Sequence, residues 1–469
     1  MDVTTLTIKQ AKKDLKDKKY SSVELTKSYL DRIKQIDKKI NAFITVTEDE
    51  ALVMAKTADE KLSKGNDLPL LGIPIGLKDA FLTKDIRTTA GSKVLENYIP
   101  QYDATTVKKL KSAGAVLVGK LNMDAWAHGS SGENSDFGPT KNPYDTQYVA
   151  GGSSSGPAAA IASDMCLATS GTDTGGSIRL PASFCNAVGL KPTYGRVSRY
   201  GIVAMGSSLD SIGHFTKTVE DNALILQVTA GSDTYDGTTP SVAVPDYGND
   251  IPKGVKGLKI GVPEEYFIEG LDPKVNEVTQ SALSELEKQG ATLVPVSLPH
   301  TKYAIAVYYI ITPAEVSSNL ARYDGIRYGN SRETFGDEAK RRIMLGTFVL
   351  SAGYYDAYYN KAMQVRTLLK RDFDKAFERV DVMIAPVSPT LPFKLGERTQ
   401  DPLSMYLSDI FTVTSNLTGN PGLSVPAGFV NGLPVGIQII GPHFSEDLLF
   451  RVGYAYEQKN PLYKMRPKL

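Results

Sequence analysis

Residues 151–185 read GGSSSGPAAAIASDMCLATSGTDTGGSIRLPASFC, two short clusters of glycine and serine with a different kind of sequence between them. Glycine and serine together are the usual composition of a flexible linker, chain that does not pack. The intervening residues argue against a tether. Residues 158–168 are mostly small and apolar, interrupted only by Ser163 and Asp164, which suits a tightly packed helix between two turns. The expectation is a pair of rigid glycine turns that hold serines in place within a folded domain.

Outward from this stretch the chain alternates strand and helix patterns. LGIPIGLKDAF predicts a buried strand ending near Lys78, ATTVKKLKSAGA a helix and AVLVGK another strand, a β-α-β crossover that implies parallel pairing. The alternation returns in GLKIGV, a helix beginning near Asp272 and Pro273, and ATLVPVSL. It returns again in a helix over residues 368–377 followed by DVMIAPV, and LPVGIQIIGP supplies a further buried strand. Residues 5–62 read as an outer helical layer, with Ser21 and Glu24 spaced as a capping box and Leu25, Ile33 and Ile36 in an apolar stripe. Residues 231–254, rich in Asp, Gly and Pro, read as a long surface loop. No repeat and no low-complexity linker divides the chain, so one large α/β unit is expected rather than two domains.

Composition excludes several function classes. The 469 residues carry 53 basic and 52 acidic side chains, so no overall field draws nucleic acid to the chain. Two cysteines, Cys166 and Cys185, make neither a disulfide framework nor a metal pattern, and their apolar surroundings read as buried. The amino terminus lacks an apolar signal region and no apolar run is long enough to span a bilayer. A cytoplasmic protein without membrane contact is expected.

The chemistry narrows by elimination. A Walker loop ends in Gly-Lys-Ser/Thr, whereas Gly119-Lys120 is followed by Leu121, and no Rossmann fingerprint is present. His128, His214, His300 and His443 lie far apart with no short metal-ligand spacing, and each reads as a turn or surface histidine. What remains is nucleophilic catalysis by serine, which needs an activated hydroxyl, a base and backbone donors for an oxyanion. Gly152 to Gly156 match G-x-S-x-G around Ser154, but the preceding KNPYDTQYVA reads as loop where that motif needs a strand. Lysine serves as a base when burial disfavours its ammonium form. Lys78 is the best placed, at the carboxyl end of an apolar strand, where open α/β sheets build their sites; a lysine snorkelling from a strand end is the plain alternative.

GGSSSG followed by GTDTGGSIRLPASFCNAVGLKPTYGRVSRYG resembles the signature of the amidase signature family, whose enzymes hydrolyse amides with a Ser-Ser-Lys triad. The resemblance implies one α/β domain with a central mixed β-sheet covered by helices on both faces. Residues 1–65 would form its amino-terminal helical layer, 66–230 its catalytic core, and 231–469 the remainder lining the substrate pocket. Residue by residue the triad falls on Lys78, Ser153 and Ser177: Ser177 as nucleophile, Ser153 as proton relay in a cis peptide, and neutral Lys78 as base. The amides of Thr174, Gly175, Gly176 and Ser177 are expected to form the oxyanion hole, since glycine lets backbone approach a substrate closely. Asp173 and Arg179 read as a charged pair bracing the loop. Ser155 stands where the family usually has glycine, and Pro157 where it has serine or proline.

Further stretches, among them LNMDAWAHGSSGENSDFGPTKNP, YYIITPAEVSSNLARYDGIRYG and DPLSMYLSDIFTVTSNLTGNPGLSVPAG, are similar to the glutamine-hydrolysing subunits of tRNA-dependent amidotransferases. That similarity implies release of ammonia from L-glutamine for transamidation of Glu-tRNA(Gln), or of Asp-tRNA(Asn). Two partner subunits would bind the misacylated tRNA and supply ATP and Mg chemistry, this chain holding no cofactor or metal. Glutamine carries a carboxylate and an ammonium, so a selective pocket needs a cation and an anion. The resemblance puts these on Arg342 and Asp409, with a hydroxyl from Tyr308; Arg341 and Tyr309 adjoin them as alternatives. The segment RYGNSRETFGDEAKRR is shorter than its family counterpart, and Ala125, Trp126 and His128 depart from the family's DEFAMGSS form. Two other readings stay open: a free-standing amidase for small or aryl amides, and a structural subunit that has lost activity.

Overall fold

The computed structural model describes residues 2–326 and 330–469; Arg327, Tyr328 and Gly329, the first of which opens the shortened segment, lie outside the described residues. Among the described residues eleven strands form one mixed sheet. They are β1 (Phe43–Val46), β2 (Pro74–Lys78), β3 (Val116–Leu121), β4 (Ala168–Asp173), β5 (Val188–Lys191), β6 (Ser211–Thr216), β7 (Lys259–Pro263), β8 (Thr292–Val296), β9 (Val382–Pro386), β10 (Gly422–Val430) and β11 (Leu433–Ile440). Across the sheet the order is β1-β3-β2-β4-β6-β5-β10-β11-β9-β7-β8.

The crossovers read from the sequence are present. β2 runs parallel to β3 through helix Thr105–Ser112, and β7 parallel to β8 through helix Pro273–Lys288. The latter helix starts where expected because the Asp272 side chain accepts from the Lys274 amide and Pro273 needs no N–H partner in the first turn. The sheet centre is antiparallel: β4 with β6, β6 with β5, β5 with β10, and β10 with β11. Strands β1, β4, β5, β6 and β10 were not legible as strands. β4 reads ATSGTD and is buried throughout, so it lacks both the alternation and the bulky apolar residues by which a strand declares itself.

The amino-terminal layer consists of helices Ile8–Lys16, Ser22–Ile40 and Glu48–Ser63. The capping box is formed, Ser21 and Glu24 each bonding the other's backbone N–H, and Leu25, Ile33 and Ile36 are buried. The stretch at residues 151–185 is buried from end to end. Its helix spans Ser155–Ala162, ending earlier than residue 168 because Leu167 and the β4 backbone join the sheet beside β2. Gly156 permits this packing: a Cβ there would stand 2.5 Å from the Ala42 carbonyl oxygen and 2.6 Å from the Asn122 amide.

Candidate active site

Register brings the base candidate to the serines. β4 pairs with β2 in parallel, Leu77 opposite Ser170, so Lys78 and Thr172 emerge at the same sheet edge. The Lys78 Nζ lies 2.8 Å from Ser153 Oγ, 3.0 Å from Ser154 Oγ and 2.8 Å from Thr172 Oγ1, with all four side chains buried. Burial pushes the Lys78 amine down to about 7, against the opposing pull of the Asp124, Asp173 and Asp210 carboxylates. A neutral amine has two N–H donors and one lone pair. The Ser154 hydroxyl donates to the Thr172 carbonyl at 3.1 Å and so accepts from Lys78. With Thr172 Oγ1 accepting the second N–H, the lone pair is left for the Ser153 O–H.

The second glycine cluster is held by its own aspartate. Asp173 accepts from the amides of Gly176 (2.8 Å) and Ile178 (3.1 Å) and meets Arg179 twice at 3.1 Å. Burial works to raise this carboxyl, but Arg179 and Asn416 hold it at about 2. Arg179, fully buried, also donates to Ser415, Gln438, Asn416 and the Thr412 carbonyl. Asp173 and Arg179 therefore brace the loop. The expected set of converging amides needs a correction at one member: the Gly176 N–H is already given to Asp173, and the amides without such an engagement among the described residues are those of Thr174, Gly175 and Ser177. The Thr174 side chain is tied to Asp210 at 2.7 Å.

The two clusters are joined by the Ser154 N–H, which donates to the Ser177 carbonyl at 3.2 Å. The Gly152–Ser153 peptide is cis. Gly152 has no alternative, since a Cβ there would fall on the Asp124 carboxylate, which accepts from the amides of Gly132 and Asn134 at 3.1 and 2.8 Å. Of the triad candidates Lys78 and Ser153 are fully buried, while Ser177 keeps 8% of its surface exposed. Only Ser177 can be met by a substrate without the loop opening.

The residues expected to bind substrate approach the same loop. Tyr308, on helix Ala304–Leu320, sets its hydroxyl 2.6 Å from where a Cβ on Gly175 would stand. Arg342 is buried, while the side chain of its neighbour Arg341 is 42% exposed. Arg342 Nε donates to Glu338 at 2.7 Å and its guanidinium lies over Tyr309 at 5.5 Å. Tyr309 in turn reaches Asp409 at 3.4 Å, so the adjoining tyrosine spans the cation and the anion. Burial raises the Asp409 carboxyl to about 7, although Ser130, donating at 2.7 Å, and Arg342 work against it.

A cavity of about 340 Å³ opens here, bordered by His128, Ser130, Glu338, Arg342, Arg398 and Tyr406. Ser177 is not among its walls. Thr412 makes the connection, its hydroxyl lying 2.6 Å from the Gly175 carbonyl and 3.1 Å from that of Asp409. A wider cleft of about 640 Å³ among the amino-terminal helices, bordered by Lys12, Lys16 and Lys19, touches none of these residues.

Thr172, Ser130, Thr412, Glu338 and Asp210 were missed by sequence reasoning. Ser130, Thr172, Glu338 and Thr412 sit in stretches quoted above and were within reach, but nothing local marks which hydroxyl or carboxylate there meets the site. The reading of the histidines as turn or surface residues holds for His300 and His443, which lie in turns and are partly exposed, and is corrected for the other two. His214 lies on β6, buried, with Ser170 Oγ at 3.1 Å and Thr229 Oγ1 at 2.7 Å, and burial holds it at about 3. His128 is buried as well. Among the described residues no group of three His, Cys, Asp or Glu side chains could hold a metal ion, and no helix is long and apolar enough to cross a membrane.

Comparison with known proteins extends the pattern over the whole chain. The Amidase family model matches residues 24–450. The A subunit of the glutamyl-tRNA(Gln) amidotransferase of Carboxydothermus hydrogenoformans is 54% identical over 485 aligned residues, covering 100% of both chains. The solved structure of the protein of that name from Thermotoga maritima superimposes with a TM-score of 0.86 at 44% identity, covering 100% of this chain and 98% of that one. The peptide amidase of Stenotrophomonas maltophilia superimposes with a TM-score of 0.85 at 30% identity, covering 99% and 98%.

Proposed function

The chain belongs to the amidase family, and from that premise we propose that it is the glutamine-hydrolysing subunit of a tRNA-dependent amidotransferase. The observation that carries the reading is the buried cation and anion, Arg342 and Asp409, bridged by Tyr309 and linked through Thr412 to the loop that bears Ser177. A pocket for simple neutral amides has no use for either charge, whereas glutamine presents a carboxylate to Arg342 and an ammonium to Asp409.

In this reading the Ser177 Oγ attacks the side-chain amide carbon of glutamine. Its proton passes to Ser153, whose own proton passes to the Lys78 lone pair. The developing oxyanion is met by the amides of Thr174, Gly175 and Ser177. Collapse breaks the C–N bond, and the proton on Lys78 returns through Ser153 to the departing nitrogen, giving ammonia and a γ-glutamyl ester on Ser177. Water then cleaves the ester by the same relay, releasing glutamate. Ammonia passes to partner subunits, two in number, that hold the misacylated Glu-tRNA(Gln) or Asp-tRNA(Asn) and activate its carboxyl with ATP and Mg. The balanced charge of this chain, 53 basic against 52 acidic residues, suits a subunit that leaves the RNA to its partners.

The test is ammonia release from L-glutamine and from benzamide, by the chain with and without its partner subunits, beside Ser177→Ala. Glutamine turnover that rises with partners and acyl-tRNA, and disappears in Ser177→Ala, supports the reading. Rapid benzamide hydrolysis by the chain alone with glutamine ignored would make it a free-standing amidase and refute the roles of Arg342 and Asp409.

A further inference from the structure

Between Asp124 and Gly132 the backbone is tightly wound, with Trp126 and Ala127 at φ 59° and 63°. The Trp126 ring is buried against Tyr323 and Phe335, its centroid 4.8 and 5.2 Å from theirs. This anchoring turns the next residues towards the Arg342 cavity. His128 borders that cavity and is itself wholly buried. Its backbone is engaged, the N–H with the Ala125 carbonyl at 2.9 Å and the carbonyl with Asn134 Nδ2 at 2.7 Å. Its ring is not: among the described residues neither Nδ1 nor Nε2 has a hydrogen-bond partner.

Buried polar atoms are almost always paired, and an unpaired one costs the full desolvation of the group. His214 shows the ordinary case, equally buried with both nitrogens bonded. Among the described residues, the only other unpartnered buried nitrogen of a charged side chain bordering the His128 cavity is Arg342 Nη1. His128 and Arg342 border one cavity, and an acceptor held between them would pair both; Glu133 Oε2, on the same wall, is likewise without a partner among the described residues.

We infer that His128 is a substrate-binding residue, donating a ring N–H to one oxygen of the glutamine α-carboxylate while Arg342 Nη1 binds the other. The inference rests on the glutaminase reading. Arg342 has its Nε committed to Glu338, so only its end-on Nη1/Nη2 face is left for a carboxylate, and each carboxylate oxygen bound there keeps a lone pair for a further donor. A second cation beside it would be repelled. Burial and the Arg342 guanidinium hold the imidazole well below the ordinary histidine range, and a neutral ring supplies that further donor without adding charge. The departures at Trp126 and His128 then form one device: the indole wedges the turn, and the imidazole completes the carboxylate site.

The experiment uses the full chain assembled with its partner subunits, with His128→Met and His128→Gln, on L-glutamine and on butyramide, which has no α-carboxylate. His128→Met is expected to raise KM for glutamine about tenfold while kcat changes less than about threefold. His128→Gln, which keeps an N–H, is expected to recover most of that loss, and butyramide kcat/KM to move less than about twofold for both variants. An unchanged glutamine KM in His128→Met overturns the inference. So does no recovery in His128→Gln, or an equal loss on both substrates with a lowered melting temperature, which assigns His128 to packing. If wild type turns over butyramide and ignores glutamine, the glutaminase reading falls and takes this inference with it. If it turns over glutamine and is indifferent to His128, the inference alone falls.

Discussion

The Lys78 Nζ lies 2.8 Å from the Ser153 Oγ in a place where neither side chain touches solvent. Desolvation is what fits the lysine to the proposed role of base: it holds the amine at about 7 despite three nearby carboxylates. The amine is charged below that value and neutral above it, so its capacity to accept a proton is lost as pH falls through about 7. The Asp409 carboxylate, raised to about 7, is also lost in that direction.

The pH profile separates these two groups. For glutamine, whose ammonium needs ionised Asp409, log kcat/KM should fall on the acid side with a slope approaching two. For butyramide only Lys78 matters, and the slope should be one. Initial rates across the range around pH 7 decide it; equal slopes would remove Asp409 from substrate binding.

The Asp173 and Arg179 pair is a stability element. Arg179→Ala leaves a buried carboxylate without its counter-charge, which costs roughly 3 to 5 kcal/mol, to be read from denaturant midpoints. The Asp173 carboxyl is held at about 2, below the ordinary carboxylate range. Its contribution is therefore complete above that range and lost as pH falls towards about 2. Arg179→Ala should accordingly show a smaller difference from wild type at strongly acid pH than at neutrality.

Gly175 faces Tyr308. A Cβ at Gly175 would stand 2.6 Å from the Tyr308 hydroxyl, so Gly175→Ala must shift the tyrosine or the oxyanion loop. kcat for glutamine should drop by about 10² or more, the scale of losing one oxyanion donor. Steady-state kinetics beside a melting curve distinguish this from unfolding.

Ser130→Ala removes the 2.7 Å donor to Asp409 and leaves a buried carboxylate short of a partner. The expected result is a rise in glutamine KM of roughly three- to tenfold, with a much smaller effect on butyramide. An equal effect on both substrates would place Ser130 in the scaffold rather than the pocket.

What was legible in the chain follows physical lines. β2, β3, β7, β8, β9 and β11 are rich in Ile, Val and Leu, and the helices between them are marked by caps such as Asp272 and Ser21. β4 was hidden because its residues are small and polar. Those residues are nevertheless what the centre needs, since Thr172 and Asp173 on that strand hold Lys78 and the glycine loop. The pocket was legible only by resemblance. Nothing near Asp409 in the chain announces Ser130, 279 positions away, as its donor.

The sequence by itself determined that two glycine turns flank a small-residue helix, that Lys78 ends an apolar strand, and that no nucleotide-binding or metal-binding motif competes with serine chemistry. These are local properties, set by backbone freedom and side-chain size within a few residues. Only the tertiary structure decided which hydroxyls Lys78 meets, that the Gly176 amide is engaged by Asp173, and that the His128 ring has no hydrogen-bond partner among the described residues. Those depend on strand order and burial, because a hydrogen bond across 75 positions and the loss of water around an amine both arise when distant segments close on one another.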